Sequence, residues 1–106
     1  MTRGEIVLAV LAGDYGKVRP AVVLQSDLLA EIDSIIICPL SSSLSRLTTV
    51  RVRLAPDPAT GLLVMSEAMV EKIGGVKRDR VRAVLGRVSD ETMREIEAKL
   101  LFVLGL

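Results

Sequence analysis

A small, strongly bent β-barrel of the SH3-like type, mainly β with one C-terminal helix, is the fold class this chain predicts. Short apolar runs rich in Val, Ile and Leu alternate with glycine- and proline-bearing turns as far as Val88, which is the rhythm of short strands. A single helical period follows them and closes the chain. Five to seven such strands bury their common face most economically by curling into a barrel with the helix packed on it. With 106 residues and no linker, repeat or low-complexity tail, residues 1–106 are expected to form one domain.

The elements follow in order. Glu5 to Ala12 is an apolar run ended by Gly13-Asp14, hence a strand. Pro20 to Gln25 repeats the pattern, and Ser26-Asp27 caps a helical turn through Glu31. Ser34 to Cys38 is a β-branched run expected at the centre of the sheet, with Pro39 stopping it. The serine-rich stretch Ser41 to Thr48 reads as a loop. Thr49 to Leu54 alternates Val50 and Val52 with Arg51 and Arg53, a half-exposed strand with its arginines on one side. Pro56-Asp57-Pro58 and Gly61 form a turn, Leu62 to Met65 and Met69 to Ile73 two further short strands, and Gly74-Gly75 a break. Val84 to Val88 is a last strand. Ser89-Asp90-Glu91 then starts a helix to about Leu104, with Met93, Ile96, Leu100 and Leu104 on its stripe and Leu101 widening it.

Half of the residues are hydrophobic, yet Tyr15 and Phe102 are the only aromatic ones, so the core is aliphatic. So much aliphatic surface on so short a chain favours a subunit interface, and a homodimer is expected. There is no histidine, which removes the Ser-His-Asp and Cys-His nucleophile systems and histidine-liganded metals together. Cys38, the sole cysteine, lies in an apolar run and reads as core; it excludes an internal disulfide and suits a reducing cytoplasm. No apolar run approaches the length of a membrane span, so a cytoplasmic protein without membrane contact is expected. The net charge is +1, but within 77–87 five cations (Lys77, Arg78, Arg80, Arg82, Arg87) stand against Asp79 alone. Such a cluster serves an anionic partner or is simply a solvated edge.

The loop Gly13-Asp14-Tyr15-Gly16-Lys17-Val18-Arg19-Pro20 carries most of the chemistry. It sets two cations and an aromatic ring between apolar runs and places Arg19 beside a proline that restricts the backbone at both positions. A guanidinium offers a planar fork of donors matched to phosphate. Read with Arg3-Gly4-Glu5-Ile6-Val7 and with Ile37-Cys38-Pro39-Leu40-Ser41-Ser42, the loop resembles the MazF/PemK (Kid) family of toxin endoribonucleases, and more weakly so does the C-terminal helix.

The resemblance implies a barrel of the MazF/PemK/CcdB type and an mRNA interferase, the toxin of a type II toxin-antitoxin pair that inhibits growth. It implies metal-independent cleavage of single-stranded RNA by the 2'-hydroxyl, leaving a 2',3'-cyclic phosphate and a 5'-hydroxyl, with no cofactor. By the same resemblance Arg19, in the family's Gly-x-x-Arg-Pro element, is catalytic, and Ser41 in Pro39-Leu40-Ser41 supplies a hydroxyl beside it. Ser42 competes for that role, and both serines equally fit local turn bonding. Glu71, in Met69-Val70-Glu71-Lys72-Ile73, falls on the family's acidic position, a proposed general base in the PemK branch. The arginine that partners it there is replaced by Met69. An ordinary carboxylate is a weak base, so Glu71 needs burial to act, and a role in anchoring the loop is as plausible. Asp14, Tyr15, Lys17, Ser42, Arg51, Arg53, Lys77 and Arg78 are the candidate RNA-binding residues, Tyr15 by stacking a base. The implied partners are single-stranded RNA, a MazE-like antitoxin and a second copy of the chain, with promoter DNA reached only through the antitoxin.

Two rival readings remain. Gln25-Ser26-Asp27, Cys38-Pro39-Leu40 and the final Leu101 to Leu106 also resemble the non-enzymatic gyrase poison CcdB, although the C-terminal tryptophan of those proteins is missing. An inactive relative that only binds RNA or antitoxin is the other.

Overall fold

The β-branched run at Ser34–Ser41 builds the longest strand and organises the sheet in the computed structural model, which describes residues 1–13 and 15–106. In chain order the strands are β1 (Glu5–Val10), β2 (Val18–Val23), β3 (Ser34–Ser41), β4 (Arg51–Leu54), β5 (Ser66–Met69), β6 (Gly74–Lys77) and β7 (Val81–Arg87), and α1 (Asp90–Leu104) follows. The sheet runs β4-β5-β3-β2-β1-β7, with β6 also on β3, and every pairing is antiparallel.

One edge of β3 carries β2, while the other is shared: Ser34–Ile37 pair with β6, and Leu40 and Ser41 with β5. Pro39, expected to end the strand, therefore lies inside it. Ile36 turns its backbone groups toward Leu24 and Gln25 on the β2 side. By alternation Pro39 faces the opposite edge, at the gap between β6 and β5, where no ladder N–H is required.

Register shifts between Ile6 and Val7 and between Leu8 and Ala9 interrupt the β1–β7 pairing, and such irregularities bend a sheet. The bend brings β7 against the turn after β4. The backbone N–H of Arg87 donates to the Ala59 carbonyl at 2.9 Å, and Gly61 and Gly86 permit the approach. A Cβ on Gly86 would lie 2.3 Å from the Ala59 oxygen, and one on Gly61 2.4 Å from that of Leu85.

Alternate residues of β1, β2 and β3 face opposite sides of the sheet. Ile6, Val22, Cys38 and Leu40 meet Met93 and Ile96 of α1 in the larger core, while Val7, Ala21, Val23, Ile35 and Ile37 form a second cluster. The helix starts as its sequence predicts: Ser89 Oγ accepts from the Thr92 N–H at 3.1 Å, with Asp90 and Glu91 in the first turn. Its stripe ends differently. Val103, not Leu104, packs with Leu100, because the 3.6 period carries the series 93, 96, 100, 103 while Leu101 and Leu104 rotate outward and stay half exposed.

Three further expectations change. Leu62–Met65 is a turn in which only Leu62 is buried, and Val70–Lys72 forms a 3-10 turn after β5. The Gly74-Gly75 pair continues the chain as β6, since backbone groups alone suffice to complete the β3 ladder. Gln25 is buried and structural: its side chain bonds Ser34, Leu29 and Ile36.

Candidate active site

β2 and β3 pair through Ala21 and Pro39, Val22 and Cys38, and Val23 and Ile37. Two more steps of that register would set Arg19 opposite Ser41. The ladder stops first, because Pro20 falls at the alternating position that faces β3 and has no N–H to continue it. Arg19 keeps its pairing with Ala9 on β1, so its backbone stays fixed in the sheet. Between the parted strand ends lies an open groove of about 680 Å³ lined by Arg19, Ser41, Ser42, Ser43, Met69 and Lys72, with Leu63 and Val64 on its wall.

Lys72 is a groove cation that was not singled out from sequence. A signal for it existed: read as a strand, Met69–Ile73 puts neighbouring side chains on opposite sides, so an inward Glu71 leaves Lys72 turned out. The Ser41 hydroxyl closes a local turn, accepting from the Ser43 N–H at 3.1 Å and lying 3.3 Å from the Ser43 carbonyl, and it is part-buried beside the exposed Ser42. Ser41 is thus a turn former whose side chain also lines the groove.

Glu71 does not line this groove. Its carboxylate meets Arg51 side-on, Oε2 accepting from Nη2 at 2.6 Å and from Nε at 3.0 Å. Arg51, expected on a half-exposed strand face, has a side chain only 11% exposed, because Glu67 takes its remaining fork at 2.7 Å. Glu67 is buried on β5 and also accepts from the Ser45 N–H at 3.0 Å. The Arg51 guanidinium holds both carboxyls below their ordinary range, against the opposing effect of their burial. The two carboxylates in turn push the Arg51 pKa still higher. Lys72 also lowers the Glu71 pKa, and the uncharged Cys38 thiol lies within the field of the Glu71 carboxylate. The Cys38 thiol is pushed up to about 12, chiefly by burial and further by Glu71, in keeping with its reading as core. Glu67 is not among the residues that the sequence points to; its place between Ser66 and Ala68, both small, is the available hint of an inward-facing charge.

The other candidate residues lie elsewhere. Tyr15 sits in the β1–β2 loop at φ 51 with its ring 99% exposed, and Lys17 is exposed beside it; Asp14 lies outside the described residues. Arg53 is exposed on β4, its Nη2 donating to the Ser45 carbonyl at 3.3 Å. Lys77 is exposed at the end of β6, and Arg78 donates to the Ile32 and Leu29 carbonyls at 2.6 and 3.1 Å. Arg82 likewise donates to Asp79, and Arg87 to Arg3 and Thr2. Much of the 77–87 cluster is thus spent holding backbone carbonyls. Among the described residues, no three Cys, Asp or Glu side chains are grouped to hold a metal ion. No helix among them is long and apolar enough to cross a membrane.

Residues 2–104 match the PemK-like, MazF-like toxins of type II toxin-antitoxin systems. The chain belongs to this family. A probable endoribonuclease MazF from Mycolicibacterium smegmatis is 34% identical over 107 residues, spanning 100% of this chain and 98% of the relative. An endoribonuclease solved with its cognate antitoxin from a mycobacterial species superposes with a TM-score of 0.82 at 21% identity, covering 100% of this chain and 96% of that one. A MazE-MazF structure from Deinococcus radiodurans gives 0.81 at 20% identity, covering 100% and 96%. The bent sheet with its C-terminal helix is therefore the MazF fold, and the protein is a MazF-like toxin endoribonuclease of a toxin-antitoxin system.

Proposed function

We propose that this MazF-like toxin cleaves single-stranded mRNA without a metal, through attack of the ribose 2'-hydroxyl on its own phosphodiester. The observation that supports the reading is that Arg19, Ser41 and Lys72 line one groove beyond the end of the β2–β3 ladder. The O2'–P bond forms as the P–O5' bond breaks, the 2'-proton is lost and the 5'-oxygen gains one, leaving a 2',3'-cyclic phosphate and a 5'-hydroxyl. Charge accumulates on the nonbridging oxygens along this path. Arg19 meets it with a fork of donors, and the hydroxyl of Ser41 or Ser42 adds a neutral hydrogen bond. Lys72 holds an adjoining phosphate, and Leu63 and Val64 give unstacked bases an apolar surface, as single-strand recognition requires. Glu71 is a poor general base here, because Arg51 occupies its oxygens and lowers its pKa.

Residues 1–106 act as one toxin domain in this reading, and the working species is a homodimer that extends the groove. A MazE-like antitoxin lays an acidic tail over the Arg19 and Lys72 surface, and promoter DNA is contacted only through the antitoxin. The complexes of the mycobacterial and Deinococcus neighbours with antitoxins support such a partner. The test is incubation of the purified toxin with single-stranded RNA in excess EDTA, followed by analysis of the new ends. Cyclic phosphate and 5'-hydroxyl termini are expected, and cleavage that requires added magnesium or manganese would refute the reading.

A further inference from the structure

We infer that Arg51 is a positioning residue that clamps the β3–β4 loop and the Lys72 turn into the shape of the groove, with Glu67 and Glu71 as its two anchors. The inference rests on the proposed function for its activity arm alone. Arg51 touches three separate segments at once. Its Nη1 meets Glu67 of β5 at 2.7 Å and the Ser45 hydroxyl of the loop at 3.3 Å, and its Nε and Nη2 hold Glu71 in the 3-10 turn that presents Lys72. Glu67 closes the loop side by accepting the Ser45 N–H. The groove serines lie two to four residues before Ser45, and Lys72 directly follows Glu71. The serine wall and the Lys72 wall of the groove are thus each one short step from the same guanidinium.

A single cation between two carboxylates is a specific latch, since each fork of the guanidinium fixes an angle as well as a distance. Arg51 and Glu71 are absent from the groove lining, so the pair acts on RNA through the walls it holds. Misplacing a reacting geometry by about 1 Å can cost about 100-fold in rate.

The test compares the wild-type protein with Arg51→Lys, Arg51→Met and Glu71→Gln by RNA cleavage and by amide hydrogen exchange. Arg51→Met is expected to lower kcat ~10- to 100-fold with KM changed by less than about 3-fold, and to speed exchange at the Ser45 amide. Arg51→Lys, which keeps the charge and loses the fork, should recover part of both. If Arg51→Met does not fold, the double variant Arg51→Gln with Glu67→Gln, which leaves no unpaired charge at Glu67, is read in the same way. Glu71→Gln should keep the shape of the pH–rate profile, because the amide still offers Arg51 an acceptor. Unchanged kcat and unchanged Ser45 exchange in a folded Arg51 variant would overturn the inference, as would loss of the acid limb in Glu71→Gln. The exchange arm needs no RNA, and failure of the wild-type protein to cleave in EDTA would count against the proposed function alone.

Discussion

Arg51 on β4 stands directly across the ladder from Met69 on β5. From there its guanidinium reaches the Glu71 carboxylate, two residues beyond Met69 in the turn that follows β5. The arginine partner that Met69 does not provide is thus supplied by the neighbouring strand. The consequence is that Glu71 is tied and its pKa lowered, so the proposed cleavage relies on the groove's cations and hydroxyls.

Acid should release this latch. Glu67 and Glu71 have folded pKa values below the ordinary 4.5. The stability they add is therefore fully present above that value and is lost as the pH falls through their lower, folded values. Thermal melts from pH 7 to pH 3 should be nearly flat down to about pH 5 and then decline, and the decline should be shallower in Arg51→Met. A melting temperature that rose below pH 4.5 would contradict this.

Gly86→Ala should destabilise the fold by about 1–3 kcal/mol, the usual cost of forcing atoms into a packed site. The added Cβ would press on the turn at Ala59 and Thr60, whereas the Cβ of Gly75→Ala meets nothing within 4 Å. Denaturant unfolding of the two variants side by side checks the difference. Equal stabilities would mean that the turn gives way freely.

Lys72→Ala is expected to raise KM for RNA several-fold and to reduce the salt slope of binding by about one, as befits one phosphate contact. Ser41→Ala should cost less than any change at Arg19, because a neutral donor is weaker than a charged one. Fluorescence anisotropy over a salt series, paired with cleavage rates, separates the two.

Much of this was legible in the sequence, and the limits have physical causes. The rhythm of short apolar runs gave the barrel, and Ser89-Asp90-Glu91 marked the start of the helix, because these are local signals. The motifs around Pro20 and Pro39 pointed to Arg19 and Ser41, which line one groove, but that those prolines stop one ladder and spare another depends on which strand lies alongside. Lys72 and Glu67 were missed for the same reason: whether a charge faces a groove or a core is decided by non-local pairing. The 77–87 cations looked like an anion site, yet Arg78 and Arg87 reach backbone carbonyls that only the folded chain brings near, and Arg82 turns back onto the nearby Asp79 carbonyl.

Leu101, Phe102, Leu104 and Leu106 are each more than half exposed at the end of α1. An apolar end of this kind suits a subunit contact. Light scattering at micromolar concentration should give twice the 11.4 kDa of one chain. A mass of one chain would remove the homodimer, and Phe102→Asp should produce that mass if the helix end is part of the contact.

The central claim is that Arg19 stabilises the charge of a metal-independent cleavage. The most direct measurement is single-turnover cleavage of a single-stranded RNA in EDTA by the wild-type protein and by Arg19→Ala of equal thermal stability. A loss of at least about 100-fold is expected, the order found when a transition-state donor is removed. Arg19→Ala cleaving within a few-fold of the wild type would contradict the account.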